Sequence, residues 1–129
     1  MWCVICLAGL LALSVSQLDD FDPESRLSLA ITDIDFEQKF ISQLQKSNVS
    51  IGQSIIHFSE NNCFCETIAQ THIARLSKNM LNNGFKSIHI NMSTLPEFAR
   101  FVPSTPSVAI VGELKELIYL GPYSEGYGC

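Results

Sequence analysis

The sequence predicts an α/β fold with a central mixed β-sheet flanked by helices and a terminal β-hairpin. Short apolar runs rich in Ile and Val alternate with longer segments whose apolar residues recur every three or four positions. The last two apolar runs are separated only by the turn-forming stretch 112–115. The predicted order is β-α-β-α-β-α-β-β, in which the early strands are parallel with right-handed crossovers and the late strands form the hairpin.

The composition limits the classes of partner. The chain has 129 residues, a length that suits one domain, and 47% of them are hydrophobic, which is enough for a core. Thirteen acidic residues outnumber eight basic ones, and the formal net charge is −5. No basic run or basic-aromatic patch is present, so nucleic acid is not an expected partner.

An apolar leader precedes the predicted domain. Trp2 to Val15 carries no charge and is shorter than the roughly 20 residues that cross a bilayer comfortably. Residues 1–18 are therefore predicted to be an export signal with a cleavage site at 14–16, or a retained membrane anchor, which gives an exported, periplasmic or membrane-anchored location facing the periplasm. The alternative is a buried N-terminal strand or helix. Residues 19–25 are predicted to be a linker with a Pro break.

The first elements of the domain, 26–124, follow from two periodicities. Apolar and other residues alternate over 26–31, with Leu27, Leu29 and Ile31 on one side, which predicts a strand. Asp35, with Gln38 three positions later, predicts a helix cap, and the helix extends to about Gln45. The apolar run over 54–59 predicts a second, buried strand.

The next helix is predicted to begin at Cys63 or Cys65 and to end at Asn82. Its apolar stripe comprises Ala69, Ile73, Leu76 and Met80. Asn83-Gly84 predicts its end, because Gly adopts the left-handed conformation at little cost.

The remaining elements are shorter. A strand is predicted at 87–90. The sequence Thr94-Leu95-Pro96-Glu97 predicts a capping box and a short helix to Phe101. Strands at 107–111 and 117–120 form the predicted hairpin, and residues 125–129 form a truncated tail.

Cys63 and Cys65 stand at the junction between the predicted strand 54–59 and the following helix. Helix N–H groups and the helix dipole favour a thiolate there. Thiol–disulfide exchange needs an attacking thiolate and a second thiol that resolves the mixed disulfide. Side chains at i and i+2 of a helix diverge by about 200°, so a Cys63–Cys65 disulfide requires Cys63 outside helical geometry. Cys129 is an alternative resolving thiol.

The order of these features resembles the thioredoxin-like superfamily. The chain shares the β-α-β start, cysteines at the head of the second helix, Thr105-Pro106 before a later strand, and a terminal hairpin ending at Gly121. The resemblance covers about 26–124 and is closest to exported or membrane-attached bacterial members of unassigned function. The chain departs from the pattern in having CxC instead of CxxC, Asn62 where a tryptophan is usual, and no last helix.

The resemblance implies roles for five residues. Cys63 attacks and Cys65 resolves. The Thr105–Pro106 bond is cis and its backbone presents an extended substrate; the alternative is an ordinary turn proline. His57 stands where thioredoxins often carry a buried acid, so it is a candidate proton carrier, against the alternative of a hydrogen-bonded core histidine.

The expected function is therefore thiol–disulfide exchange with the thiols or disulfides of protein substrates outside the cytoplasm, without an organic cofactor or metal. Two rival hypotheses stay open. CxC thiolates suit Cu(I), which would make the protein a copper carrier. A protein with this fold and without the chemistry would be a non-catalytic binding module, since fold alone does not decide function.

Overall fold

The structure, a computed structural model, describes residues 1–15, 19–61, 64–123 and 127–128, and it has an α/β fold. The strands are β1 (Asp19–Asp20), β2 (Ser54–Ser59), β3 (Lys86–Asn91), β4 (Ser107–Val111), β5 (Leu117–Pro122) and β6 (Tyr127–Gly128). The helices are α1 (Trp2–Val15), α2 (Arg26–Ala30), α3 (Phe36–Lys46), α4 (Phe64–Asn82) and a 3-10 helix (Pro96–Arg100).

Four of the strands form a mixed sheet in the order β3-β2-β4-β5. β2 pairs with β3 in parallel, whereas the β2–β4 and β4–β5 pairs are antiparallel. The predicted mixed sheet and terminal hairpin are confirmed. β1 and β6 form a separate two-stranded pair.

The main core lies between α3 and one face of the sheet. Strand alternation puts Ile56 and Phe58 on this face, where they meet the buried α3 side chains. Phe40 is completely buried, and its ring packs edge-to-face against Phe101 at a centroid distance of 5.4 Å. The core comprises Phe21, Leu27, Phe36, Phe40, Leu44, Ile56, Phe58, Ile90, Met92, Phe98, Phe101, Val102, Ala109 and Val111.

Helix α4 contacts β2 and β3. Its predicted stripe is confirmed, since Ala69, Ile73, Leu76 and Met80 are all half-buried. The helix ends as predicted, with Gly84 at a positive φ of 83°. The opposite side of the sheet from the main core is therefore covered by a helix that buries its side chains only partly.

The predicted strand over 26–31 is wrong, because this segment forms helix α2. Of the three alternating apolar residues only Leu27 is buried, while Leu29 and Ile31 are 68% and 55% exposed. The Asp22 carboxylate accepts hydrogen bonds from the backbone N–H of Leu27 and of Ser28 at 3.1 and 2.8 Å. These are the orphan donors of a helix start, and satisfying them favours the helix over a strand.

The segment predicted as a linker, 19–25, is packed against the domain. Phe21 is 6% exposed and belongs to the core. Its carbonyl oxygen accepts a hydrogen bond from the Ser104 hydroxyl at 2.7 Å. The burial of this apolar ring removes it from water and favours a packed segment over a free linker.

Asp35 stands at the N-cap position of α3, as predicted, whereas the capping box predicted at Thr94 is wrong because Leu95 stands at the N-cap position of the 3-10 helix. Neither Asp35 before α3 nor Leu95 before the 3-10 helix makes a side-chain cap hydrogen bond. Asp33 instead accepts from the Asp35 N–H at 3.2 Å, and the Thr94 hydroxyl donates to the Asn91 carbonyl at 2.8 Å. These short side chains bond to the nearest backbone group, which is a turn geometry that competes with capping.

The apolar leader forms helix α1, whose side chains are exposed as far as Leu13. None of the helices in the described part of the chain combines the length and apolarity that a membrane crossing needs. Export and membrane attachment through residues 1–18 stay predictions.

Candidate functional site

The candidate site is built around the junction between β2 and α4. The buried strand ends at Ser59 and the helix begins at Phe64. Asn61 in this connection accepts a hydrogen bond from the Asn91 side chain at the end of β3, at 3.0 Å. Cys63 lies outside the described residues, and of Cys65 the backbone alone is described, in the first turn of α4. The helix therefore begins close to the start that the sequence predicts, at Cys63 or Cys65.

The Thr105–Pro106 bond is cis, which is the isomer that the resemblance implies. Pro106 immediately precedes β4, and the first residue of that strand, Ser107, pairs with Phe58 near the end of β2. The cis-proline loop and the β2–α4 connection therefore lie at the same end of the sheet. Thr105 and Pro106 are both buried, so neither is presented to solvent in this structure.

His57 is a buried, hydrogen-bonded histidine. Its side chain is 2% exposed, although it lies in an apolar strand. Nε2 lies 2.8 Å from the Ser77 hydroxyl of α4, and Nδ1 is in hydrogen-bonding contact with the Tyr123 hydroxyl. Both ring nitrogens are thus occupied, as a buried polar group requires.

The His57 ring also lies within a stack of three rings. His89 of β3 stacks on it at a centroid distance of 4.7 Å, and Tyr123 lies nearly parallel to it at 5.8 Å. His89 is the register partner of His57 in the parallel β2–β3 pair, which explains their contact. His89 itself is exposed.

Burial determines the protonation of this cluster. Burial, with a smaller contribution from the nearby charge of His89, lowers the pKa of His57 to about 4. Burial also raises the pKa of Tyr123, with a further contribution from the Glu66 carboxylate. Near neutral pH the imidazole is therefore neutral and the phenol keeps its proton.

A cleft of about 420 Å³ opens between α4 and the sheet beside this cluster. Its polar lining residues are His57, Ser59, Glu66, Gln70, Ser77, Ser87, His89 and Tyr123, and its apolar ones are Phe58, Ile73 and Ala74. Most of the lining residues are therefore polar, whereas small-ligand sites are lined mostly by apolar residues with a few polar groups. In the described part of the chain, no cluster of three or more His, Cys, Asp or Glu side chains is arranged to hold a metal ion.

Sequence analysis missed Ser77 and Tyr123. A signal for Ser77 was present, because it lies four positions after Ile73 on the half-buried side of α4, where a hydroxyl needs a partner. His57 gives the same indication, because a polar side chain within a buried apolar strand also needs a hydrogen-bond partner. Nothing local indicates Tyr123, which reaches His57 from 66 positions away.

The comparison with known proteins places the chain in a family. No curated protein and no solved structure matches it significantly. Residues 32–129 match the family described as Domain of unknown function (DUF6436), and this match includes the β2–α4 junction, the cis-proline loop and Tyr123. The chain is therefore a member of the DUF6436 family.

Proposed function

We propose that the protein exchanges thiols and disulfides with protein substrates outside the cytoplasm, through Cys63 and Cys65. The observation that carries the proposal is the arrangement at one end of the sheet. The strand β2 leads into α4 across the CxC sequence, and the cis Thr105–Pro106 loop precedes β4 beside the same strand end.

The proposal includes a thioredoxin-like fold. The strand order β3-β2-β4-β5, with one parallel and two antiparallel pairs, is compatible with that fold. So is the placement of helices on both faces of the sheet. The CxC spacing departs from the usual pattern, and a disulfide in so small a ring is strained and easily reduced.

The chemistry proceeds in two displacements. The Cys63 thiolate attacks one sulfur of a substrate disulfide, which forms a mixed disulfide and releases one substrate thiolate. The Cys65 thiolate then attacks the Cys63 sulfur, which forms the Cys63–Cys65 disulfide and releases the second substrate thiolate. In this direction the substrate gains two electrons, the protein loses two, and solvent exchanges the two protons. The reverse sequence oxidises two substrate thiols, and a strained, easily reduced Cys63–Cys65 disulfide favours it.

Helix α4 supplies the electrostatic contribution. Its N-terminal N–H groups and dipole stabilise a thiolate at the helix start, whereas the carboxylates of Glu60 and Glu66 oppose one. We therefore expect a modest lowering of the thiol pKa. Because His57 has a pKa of about 4, it is a weak base at neutral pH. We accordingly propose that His57 holds Ser77 and Tyr123 in place through its hydrogen bonds, instead of carrying a proton as the resemblance implies.

Substrate contact at the cis-proline loop requires a local movement, since Thr105 and Pro106 are buried. The hydroxyl of the neighbouring Ser104 donates a hydrogen bond to the Phe21 carbonyl oxygen. The segment just after the leader is therefore attached to this loop. In this proposal residues 1–18 direct export or tether the domain to the membrane.

The experiment is a trapping assay with the full chain and insulin as the disulfide substrate. Cys65→Ser should accumulate a mixed disulfide because the resolving thiol is gone, and Cys63→Ser should accumulate none. Cys129→Ser is the matched control and should behave as the unmodified protein. The proposal fails if Cys65→Ser traps nothing or if Cys63→Ser traps as much. Tight Cu(I) binding without exchange would favour the copper carrier, and neither activity would favour the binding module.

A further inference from the structure

β5 is an outer strand of the sheet, and one of its two edges is unpaired. The sheet order is β3-β2-β4-β5, and within the described residues β5 pairs with β4 alone. A strand that is paired on one side presents a row of backbone N–H and C=O groups on the other, which is a template for a further strand. The N–H of Leu117 belongs to this row, because it donates to the Glu37 carboxylate, outside the sheet, at 3.0 Å.

A groove of about 500 Å³ runs along this edge, and we call it the edge groove. One wall consists of residues 117–120, and the other of residues 31–34 with Phe36 and Glu37. Successive side chains of a strand point to opposite faces of a sheet, yet all four β5 residues border the groove, so it lies beside the edge and not on one face. The register shift at Ile110/Val111 and Pro122, which has no N–H, bound the regular part of the edge, so an added strand is about four residues long.

The edge groove is flanked by exposed apolar side chains. Ile31, Ile34 and Ile118 are all more than half exposed, and all three border the groove. Single exposed apolar residues are common on protein surfaces, whereas several around one groove are typical of an interaction site. A strand added to β5 covers them with its own alternate apolar side chains.

The charge of the edge groove selects the kind of partner. Its charged lining residues are Asp33 and Glu37. The Asp33 carboxylate forms an ion pair with Lys39, whereas Glu37 makes no ion pair among the described residues, and Lys115 lines the adjoining pocket instead of this groove. When a carbonyl of an added strand accepts from the Leu117 N–H, the Glu37 carboxylate becomes available to a basic side chain of the partner.

We propose that the edge groove binds an extended segment of a partner protein, which adds to β5 as a short strand with alternate apolar side chains and a lysine or arginine facing Glu37. The backbone of β5 supplies the hydrogen bonds, and the three isoleucines and Glu37 set the sequence preference. A second copy of this chain fits less well, because pairing of β5 with itself brings two Glu37 carboxylates, on chains of net charge −5, into one interface. The inference goes beyond the proposed function and needs neither cysteine.

The test is an NMR titration of the full chain with a capped heptapeptide in which valine alternates with threonine and the central residue is lysine. We expect saturable shifts of the backbone amides in 31–37 and 117–120. Ile34→Ser and Ile118→Ser should each weaken binding about tenfold, because each removes an apolar contact. Ile68→Ser, at an exposed position of α4, is the matched control and should leave binding unchanged.

A charge variant tests the preference for a basic partner. Glu37→Gln removes the charge and keeps a side-chain oxygen that accepts from the Leu117 N–H, so it should weaken the lysine peptide about threefold. It should leave a peptide with threonine in place of the lysine unaffected. Glu113→Gln makes the same change in net charge at an exposed position outside the groove and is the matched control.

Backbone methylation of the peptide separates strand addition from other modes of binding. Methylating the amide nitrogens of the even-numbered residues removes the donors from one edge of the peptide, and methylating those of the odd-numbered residues removes them from the other. One methylated peptide should lose binding and the other should retain it, because a single edge faces β5.

Three results of these titrations would overturn the inference: equal binding of the two methylated peptides, equal weakening by Ile68→Ser and the two groove isoleucine variants, or an unchanged affinity of Glu37→Gln for the lysine peptide. A concentration-dependent dimer that Ile118→Ser abolishes, found in place of peptide binding, would also overturn it, in favour of a second copy on this edge.

Discussion

The hydroxyl of Tyr123 lies in hydrogen-bonding contact with Nδ1 of His57, although 66 positions separate the two residues in the chain. The contact joins the end of the β4–β5 hairpin to the central strand β2. It also completes the hydrogen bonding of a buried imidazole, whose other nitrogen is bound by Ser77. This face of the sheet therefore contains a hydrogen-bonded polar cluster of His57, Ser77 and Tyr123, and we expect the stability of the protein to depend on it.

His57 should make the stability of the protein pH-dependent. Burial lowers its pKa from the ordinary 6.5 to about 4, so between these values the unfolded chain binds more protons than the folded one. Stability is then fully present above pH 6.5 and falls as the pH drops towards 4. At about 1.4 kcal/mol per pKa unit, the loss approaches about 3 kcal/mol.

Urea unfolding at pH 4.5, 5.5 and 7.5 measures this dependence. His57→Gln should flatten the slope between pH 4.5 and 6.5, whereas His72→Gln, at an exposed position, should retain it. A slope in the His57→Gln protein equal to that of the unmodified chain would refute the assignment.

Ser77→Ala should destabilise the protein by about 1 to 2 kcal/mol, because it leaves Nε2 of buried His57 without its hydrogen bond. Thr67→Ala, at an exposed position of the same helix, should change the free energy of unfolding by less than about 0.5 kcal/mol. Chemical denaturation of both variants at pH 7.5 makes the comparison, and equal effects would contradict the hydrogen bond.

Phe21→Ala should destabilise the protein by about 3 kcal/mol, because large-to-small substitution of a buried aromatic residue leaves a cavity. The same truncation at Ile34, which is 98% exposed, should cost little. Thermal unfolding of the two variants tests whether the segment 19–25 is packed or is the linker that its sequence predicts. A Phe21→Ala protein as stable as the unmodified chain would restore the linker interpretation.

Asp22→Ala should cost about 1 kcal/mol, since the carboxylate satisfies two orphan N–H groups at the start of α2. Asp35→Ala should cost less, because this residue makes no side-chain cap hydrogen bond before α3. The midpoints of urea unfolding rank the two variants. The reverse ranking would show that the side-chain cap predicted at Asp35 forms in solution.

Much of the fold could be predicted because its signals are local. The strand 54–59 has an unbroken apolar run, and the helix that ends at Asn82 has a long stripe followed by Asn-Gly, so both were predicted close to their observed bounds. The strand prediction for the segment 26–31 is wrong because the segment is short. Over six residues, alternating apolar positions do not distinguish a strand from one and a half turns of helix. The decisive contact comes from the Asp22 carboxylate, which lies outside the segment.

The sequence predicts only those features of the candidate site that depend on the order of the elements along the chain. The junction of β2 with α4 and the cis-proline loop follow from the order of elements. The partners of His57 do not, because Ser77 and Tyr123 come from a different helix and a different strand end, and their contact depends on packing. The burial of Thr105 and Pro106 likewise reflects tertiary packing at the end of the sheet.

The reversible disulfide between Cys63 and Cys65 is the central claim, and a redox titration tests it most directly. The full chain with Cys3→Ser, Cys6→Ser and Cys129→Ser is equilibrated in glutathione buffers of stepped potential, quenched with acid, alkylated and analysed by mass spectrometry. The account predicts one two-electron transition in which both remaining thiols become protected together and are recovered on reduction. Two alkylated thiols at every potential, up to the most oxidising buffer, would contradict it.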